Sequence, residues 1–504
     1  MNLLLPKNMF PLVLGACLLA EAVSFAAFFR PALGVAALIV VAVLALWLSL
    51  KDLRYGLLLV VAELCIGSQG YLFSAGLSSS LSLRMTLWII VMAVWIGQET
   101  MAHMRQQRRF SDYKSLPYAK PLLILGLVLL LGVVVGLAGG NDTVYLFLEA
   151  KRWAYIALLL PLLSVFRTRD DRRILVSVAI AAAVWLALKT MIFAYIFTHG
   201  FTQLAINLYD WSRHDLLAEI TRAPSGFFRI FMQSQIFLIP AFLTAGAWLF
   251  SLTAQKRSYP RLFLAIAGSM LLMAAILVSL SRSFWVGLAF ALIVVAVVSF
   301  GRWRTEWKMI LVRCLTVVIA FVGGLAILFA VVRFPFPAPS ATFDASLLSD
   351  RATQMEAGAA SRWSLLPVMG KEAIRSPLWG YGFGKTLTYV TSDPRITSTT
   401  ADGKYTTYAF EWGWLDIALK LGVLGLAAYL WLFFVLLKDC WCLFRKNSAL
   451  ALAAGGSLLA LAAAHFFTPY LNHPLGFIYL GIIMAVLHGE MKEKSQEVSL
   501  LSKF

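Results

Sequence analysis

Five arginines and one glutamate are the side chains of this sequence whose types and surroundings best suit chemistry. The arginines are Arg152, Arg222, Arg229, Arg282 and Arg362, and the glutamate is Glu411, directly before Trp412. A planar guanidinium group binds two phosphate oxygens at once, so several converging arginines would hold a diphosphate. A carboxylate beside them would act as a general base that deprotonates an acceptor hydroxyl. Alternatively, the arginines contact lipid headgroups or local carboxylates, and Glu411 only stabilises a helix N-terminus.

Several motifs that bind metal ions or nucleotides, or that supply a catalytic serine, are missing from the sequence, and their absence limits the classes of reaction to consider. The chain has no HExxH, GxSxG or P-loop pattern, and the alternating Gly380, Gly382 and Gly384 do not have the GxGxxG spacing. The first two outer loops contain no Asp or Glu, and the five cysteines show no CxxC spacing. We therefore expect no metal ion, no nucleotide and no other cofactor.

The composition indicates that these side chains belong to a polytopic membrane protein. Hydrophobic residues make up 61% of the 504 and charged residues only 13%, and apolar runs of about eighteen or more residues recur along the chain. The net charge of +18 is explained by basic cytoplasmic loops, so we expect no nucleic-acid partner. The sequence predicts an all-α fold with one membrane domain spanning residues 1–504.

Fourteen apolar stretches are predicted to be transmembrane helices. They begin near Phe10, Pro31, Tyr55, Leu83, Lys120, Val144, Arg173, Arg229, Arg261, Phe284, Met309, Ala409, Ser448 and Pro474. The basic residues of the short loops between them include Arg105, Arg108, Arg109, Lys114, Arg167, Arg169, Arg172, Arg173, Lys256, Arg257, Arg261, Arg302, Arg304, Lys308, Lys438, Arg445 and Lys446. All of these loops fall on one side, which the positive-inside rule makes cytoplasmic together with both termini.

The opposite, outer side is predicted to carry a long polar loop, residues 333–408, between the eleventh and twelfth spans. Within it, Ser361 to Ser376 is expected to form a short amphipathic helix that Ser361 caps and that ends before Pro377. The glycine-rich stretch 377–384 is expected to form a tight turn that packs on the membrane surface. A second outer loop, 198–228, has apolar residues at helical spacing, which predicts a helix lying along the membrane interface.

Several of these stretches, taken together, resemble the O-antigen ligase and O-antigen polymerase superfamily of bacterial envelope enzymes. The resemblance rests on five motifs. Two are the Ser-Arg turn at Ser281–Arg282–Ser283 and the pair Arg362–Trp363, which is followed by Ile374, Pro377, Gly380, Gly382 and Gly384. The others are Glu411–Trp412, which nine residues separate from Gly422–Val423–Leu424–Gly425, then Arg222 with Gly226, and the last outer turn from Phe466 to Pro474. It extends over roughly residues 220 to 485. No single motif is specific, but their order and spacing together are.

The resemblance implies an integral membrane glycosyltransferase of the bacterial inner membrane that is active at its periplasmic face. The donor would be an undecaprenyl-diphosphate-linked glycan, the acceptor a glycan or a lipid-linked molecule, and membrane lipids would surround the site. In the family's ligases a histidine stands where this chain has Glu411. The resemblance therefore implies metal-independent, inverting transfer with a carboxylate base, and it leaves polymerase and ligase equally open.

A transporter of lipid-linked oligosaccharides or polysaccharides, a flippase, is the main alternative, because fourteen spans suit that class as well. Transporters often contain repeats and charges near the membrane midplane. This sequence shows neither clearly, and its outer charges concentrate beside the long loop. A non-catalytic scaffold for envelope assembly is a third, weaker alternative.

Overall fold

The computed structural model describes residues 9–75, 81–105, 118–223, 226–254, 259–303, 307–343, 346–353, 357–398, 400, 402–446 and 448–501. Helices dominate this part of the chain, and its six strands form three two-stranded antiparallel sheets. The predicted all-α class is therefore confirmed. The sheets all lie in connections between helices.

The first half of the chain contains ten helices and two hairpins within the described residues. The helices are α1 Met9–Phe29, α2 Pro31–Lys51, α3 Leu53–Ile66, α4 Leu83–Met104, α5 Ala119–Ala138, α6 Thr143–Ala154, α7 Leu159–Val165, α8 Arg169–Thr198, α9 Thr202–His214 and α10 Leu238–Ala254. The hairpins pair β1 Ser74–Ala75 with β2 Leu81–Ser82, and β3 Glu219–Arg222 with β4 Phe228–Phe231. Two 3-10 turns, Tyr155–Leu158 and Gln233–Phe237, complete this half.

The second half follows the same plan, with a polar insertion between long helices. Its helices are α11 Tyr259–Val278, α12 Arg282–Trp303, α13 Trp307–Val332, α14 Ser346–Thr353, α15 Ala357–Arg375, α16 Pro394–Thr397, α17 Gly413–Arg445, α18 Ala449–Phe467 and α19 Pro474–Leu501. One hairpin pairs β5 Leu387–Val390 with β6 Lys404–Thr407.

Eleven helices of the described part are long and apolar enough to cross a membrane. They are α1, α2, α4, α5, α8, α11, α12, α13, α17, α18 and α19. The other three predicted spans are helical but shorter: α3 has 14 residues, α10 has 17, and the stretch from α6 to α7 is interrupted by a 3-10 turn. A multi-pass membrane protein is thus confirmed, whereas the number fourteen remains a prediction.

One predicted helix start is wrong. Arg229 does not open a span, because it lies on β4, where it pairs with Thr221 of β3. The apolar residues around Arg229 follow strand periodicity, and Ile230 is buried opposite Ile220. The helix that follows, α10, begins only at Leu238.

The long loop contains the predicted helix, with an earlier start, and a hairpin that was not predicted. Because α15 begins at Ala357, Ser361 lies inside it and does not cap it. The Ser361 hydroxyl instead lies 2.9 Å from the phenol oxygen of Tyr389 on β5. The expected helix in loop 198–228 is present as α9, with Leu208 and Trp211 buried.

Ionic contacts also occur between buried side chains of the bundle. Lys189 of α8 lies 2.5 Å from Glu21 of α1, and Arg84 of α4 lies 3.0 Å from Glu63 of α3. All four side chains are at most 5% exposed. A buried charge is costly unless it is paired, so these contacts fix how α1 packs against α8 and how α3 packs against α4.

Candidate functional site

A cavity of about 1820 Å³ opens at the end of the bundle where α11 and α18 finish and where α12, α17 and α19 begin. The six predicted site residues all line it: Arg152, Arg222, Arg229, Arg282, Arg362 and Glu411. They come from α6, the β3–β4 hairpin, the start of α12, α15 and the residues before α17. Elements far apart in sequence therefore converge on one space.

The short turn between α11 and α12 holds two arginines through its backbone. Leu280 adopts a φ of 44°, a left-handed conformation that is unusual for a residue with a side chain. The Nε of Arg229 donates to the carbonyl of Ser279 at 3.0 Å, and the Nε of Arg351 donates to the carbonyl of Leu280 at 3.0 Å. The turn thus positions two guanidinium groups that come from separate segments.

Arg282, Arg351, Arg229 and Arg362 form what we call the arginine cluster. The Nε of Arg282 donates to the carbonyl of Arg351 at 2.6 Å. Burial, and then the charges of Arg229, Arg282 and Arg362, lower the pKa of Arg351 from 12.5 to about 10. Arg351 stays charged at neutral pH, so the cluster concentrates like charges that a bound anion would relieve.

Arg351 was not among the predicted site residues. It lies on α14, a short helix of the long loop, where an arginine in a polar segment gives no signal in the sequence. Its place follows only from the folding of the loop over the turn at Leu280.

Arg222 and Arg152 line the same cavity and contact aromatic rings. The guanidinium carbon of Arg222 lies 5.8 Å from the ring centre of Phe228, and that of Arg152 lies 5.9 Å from the ring centre of Tyr408. Tyr408 in turn stacks on Tyr145 at 4.3 Å. Cation–π contact with these rings favours the observed positions of the two arginines.

Glu411 is bound by Arg362, with both carboxylate oxygens accepting hydrogen bonds from the guanidinium group. Each side chain is nearly half exposed, 45% for Arg362 and 46% for Glu411. The indole Nε1 of Trp412 donates to the carbonyl of Arg362 at 2.8 Å, and Trp363 packs edge-on against Trp412 at 5.0 Å. These contacts hold α15 against the start of α17, so the carboxylate lies at the edge of the arginine cluster.

The glycine-rich stretch 377–384 packs between two helices rather than on a flat surface. Gly380, Gly382 and Gly384 all have positive φ, and a Cβ at Gly382 would overlap the backbone of Gly136 on α5. The Phe383 amide donates to the carbonyl of Gly132 at 3.0 Å, and Phe383 is fully buried. The expected tight turn is therefore present, but it inserts into the helix bundle.

A break in α17 receives this turn. Gly422 has a φ of 66° and a non-helical backbone, which releases carbonyls of the preceding turn from helical hydrogen bonding. The amides of Tyr381 and Gly382 donate to the carbonyls of Leu419 and Lys420, both at 2.9 Å. The spacing between Glu411 and the glycine pair at 422 and 425 thus sets where the carboxylate stands relative to the loop.

A buried lysine beside this break was also absent from the predictions. Lys420 forms ion pairs with Glu149 of α6 and, at 2.5 Å, with Asp416 one turn earlier. Its Nζ also donates to the carbonyl of Tyr408 at 2.9 Å. A lysine inside an apolar run is itself a sequence signal, because charges within spans are rare and need partners.

Two further contacts connect the Lys420 network to the neighbouring loops. The Gly384 amide donates to Glu149 at 2.7 Å, and the Asn472 side-chain amide donates to Asp416 at 2.5 Å. Glu149, Asp416, Lys420 and Asn472 all border the cavity. The network therefore joins α6, α17, the glycine-rich turn and the loop before α19.

Three of the six histidines differ in their surroundings. His465 is fully buried beside Trp414 and accepts a hydrogen bond from the Leu471 amide at 3.1 Å, so it packs inside the protein. His473 borders the cavity, where desolvation and the charges of Arg84 and Arg152 lower its pKa well below 6.5. His199 contacts the carbonyls of Tyr195 and Phe334.

Charge balance favours a negatively charged ligand. Nine basic and six acidic side chains of the described residues line the cavity, an excess of three positive charges. The basic ones are Arg84, Lys151, Arg152, Arg222, Arg229, Arg282, Arg351, Arg362 and Lys420. Within the same part of the chain, no three His, Cys, Asp or Glu side chains are grouped as they would be around a metal ion.

One segment of the chain matches a known protein family. Residues 267–430 match the family model described as O-antigen ligase. The match contains Arg282, Arg351, Arg362, Glu411 and the glycine-rich turn, and it is narrower than the resemblance expected from roughly 220 to 485. No curated protein matches the chain. That segment is therefore similar to the O-antigen ligase family, which supports the expected O-antigen ligase and O-antigen polymerase superfamily.

Proposed function

We propose that this protein is a glycosyltransferase that moves a glycan from undecaprenyl diphosphate to an acceptor hydroxyl, as a polymerase or as a ligase. The observation that carries the proposal is the bidentate contact between Glu411 and Arg362, which belongs to the arginine cluster. Both side chains line the same large cavity. A cationic site and a carboxylate base side by side are what such a transfer requires. The acceptor would be a glycan or a lipid-linked molecule.

In this mechanism, Glu411 takes the proton of the acceptor hydroxyl while the oxygen attacks the anomeric carbon of the donor. The bond between that carbon and the diphosphate oxygen breaks, and the electron pair leaves with the diphosphate. Arginines of the cluster, with Arg222 and Arg152, stabilise the charge that develops there, so the transfer needs no metal ion. Attack from the side opposite the leaving group inverts the anomeric centre.

We place the reaction at the periplasmic face of the bacterial inner membrane. The first turns of α4, α12 and α17 border the cavity. At the far ends of these helices lie the basic residues Arg105, Arg302 and Arg445. Because basic loops favour the cytoplasm, the cavity end would face outward. Other basic loop residues, namely Arg108, Arg109, Lys114, Lys256, Arg257 and Arg304, lie outside the described residues.

Replacing the carboxylate tests the proposal. In proteoliposomes supplied with a lipid-diphosphate-linked glycan, Glu411→Gln should lower product formation by about 10²- to 10⁴-fold, because the amide cannot accept the proton. Glu372→Gln is the matched control, since Glu372 lies on α15 and contacts Arg375 and Tyr381 outside the cavity. Undiminished product from a correctly inserted Glu411→Gln protein would contradict the catalytic role.

The same preparation separates the enzyme from a flippase. A transporter would carry the lipid-linked glycan across the bilayer without forming a longer product. Because transport needs no general base, Glu411→Gln would leave it unchanged. Elongated or ligated glycan in the presence of wild-type protein alone supports the transferase.

A further inference from the structure

Arg362 has two competing partners. One is Glu411, which its guanidinium group binds through both oxygens. The other is whatever anion occupies the arginine cluster, since Arg362 lies close enough to Arg229, Arg282 and Arg351 to influence all three electrostatically. Glu411 occupies the edge of the guanidinium group formed by Nε and Nη2, and a phosphate that binds Arg362 through that edge has to displace it.

Arg362 and Glu411 form an ion pair whose side chains can exchange each other for new partners. Both side chains are nearly half exposed, and ion pairs in such surroundings contribute little to stability. The backbone on either side is fixed by the hydrogen bond from Trp412 to the Arg362 carbonyl. The side chains can therefore change partners while α15 and the start of α17 stay in place.

We propose that donor binding breaks the Arg362–Glu411 ion pair, which we call the latch. A diphosphate bound in the arginine cluster draws Arg362 away from Glu411, so the carboxylate is released to accept a proton only when donor is present. The proposal rests on the proposed function and adds an order to it: donor binds first, and the acceptor hydroxyl is deprotonated second. In the absence of donor, the base stays bound.

Calorimetric titration of the full-length, detergent-solubilised protein with inorganic pyrophosphate tests the latch without requiring activity. Because Glu411 competes for Arg362, Glu411→Gln should tighten pyrophosphate binding by about two- to five-fold. Arg362→Gln should weaken binding, and the gain from Glu411→Gln should vanish in the Arg362→Gln background. Asp350→Asn is the control, since Asp350 is another exposed carboxylate of the cavity and its removal changes the charge equally.

The outcomes separate the latch from the proposed function. Equal gains from Glu411→Gln and Asp350→Asn, or an equal gain with and without Arg362, would overturn the latch and leave the diphosphate site standing. No binding of pyrophosphate to the wild-type protein would overturn the diphosphate site, and the latch with it. If Arg362→Gln does not fold, Arg362→Lys keeps the charge without the bidentate edge and should likewise reduce the gain.

Discussion

Two groups of charged side chains border the same cavity, and their surroundings differ. Lys420, Glu149 and Asp416 are each at most 6% exposed, and Lys420 forms an ion pair with each of the two carboxylates. Arg229 and Arg351 of the arginine cluster are instead positioned by backbone carbonyls, and Arg362 is shared with a half-exposed carboxylate. One group satisfies its charges internally, whereas the other gathers like charges at the cavity wall.

This difference separates a structural role from a binding role. A buried lysine between two carboxylates stabilises the arrangement of the helices that supply it, since loss of either partner leaves a buried charge. Arginines that repel one another gain stability when an anion arrives. We therefore expect the Lys420 network to hold the cavity in shape and the arginine cluster to bind the diphosphate.

The largest effect is expected from breaking the Lys420 network. Lys420→Ala leaves Glu149 and Asp416 buried without their cation, which should cost about 3–5 kcal/mol of folding free energy. Thermal unfolding in detergent measures this loss. Lys404→Ala is the matched control, because Lys404 pairs with Asp402 at 3.1 Å on the exposed β6 strand and its loss should cost less than about 1 kcal/mol.

The distinction between a structural group and a binding group would be wrong if the Lys420→Ala protein kept the thermal stability of the wild type but lost affinity for pyrophosphate. That outcome would make Lys420 part of the anion site.

An intermediate effect is expected from the arginine cluster. Arg351→Ala should weaken pyrophosphate binding by about 1.5–3 kcal/mol, the contribution of a hydrogen bond to a charged group. Its unfolding temperature should not fall, because the substitution also removes repulsion from Arg229, Arg282 and Arg362. Calorimetric titration and thermal unfolding of the same samples measure both quantities.

Arg375→Ala serves as the control for this substitution, since Arg375 lies at the end of α15 and pairs with Glu372. Loss of stability in Arg351→Ala without loss of affinity would mean that Arg351 holds the loop in place and does not bind the anion.

The smallest effect concerns His473, which lies beside Asn472 of the Lys420 network and is influenced by Arg84 and Arg152. Its pKa in the folded protein is well below 6.5. Below pH 6.5 the imidazole therefore binds a proton more readily in the unfolded chain than in the folded chain. Stability should therefore fall as the pH drops through 6.5, by at most about 1.4 kcal/mol per pH unit.

His473→Asn should reduce that loss, because asparagine keeps an acceptor for the Leu475 amide and does not titrate. Unfolding temperatures of both proteins between about pH 7.5 and 5 provide the measurement. Identical pH profiles would show that His473 does not contribute.

Much of the site could be expected from residue types alone. Arginines near the ends of apolar helices are conspicuous, and so is a glutamate directly before a span. The sequence therefore pointed to Arg152, Arg222, Arg229, Arg282, Arg362 and Glu411, all of which line one cavity. Helix periodicity predicted α9 and α15, although it misjudged the start of α15 and mistook β4 for the start of a span.

Residues whose roles depend on distant partners could not be found in this way. Arg351 stands in a polar segment where an arginine is ordinary, and only the fold brings it to the Leu280 carbonyl. Glu149 stands three residues before Arg152 in the sequence, yet its partners are Lys420 and Gly384, more than 200 residues away. Pairings at such separations are not encoded in local spacing.

The sequence by itself determined that this chain is a polytopic helical membrane protein with a polar loop before Glu411, because hydropathy and helix length are local properties. It also predicted the resemblance to the O-antigen ligase family, which residues 267–430 match, since the motifs keep their order and spacing. Only the tertiary structure decided that Arg362 holds Glu411, that Arg351 joins the cluster and that the break at Gly422 receives the glycine-rich turn. Those contacts depend on packing between distant segments, which no local pattern specifies.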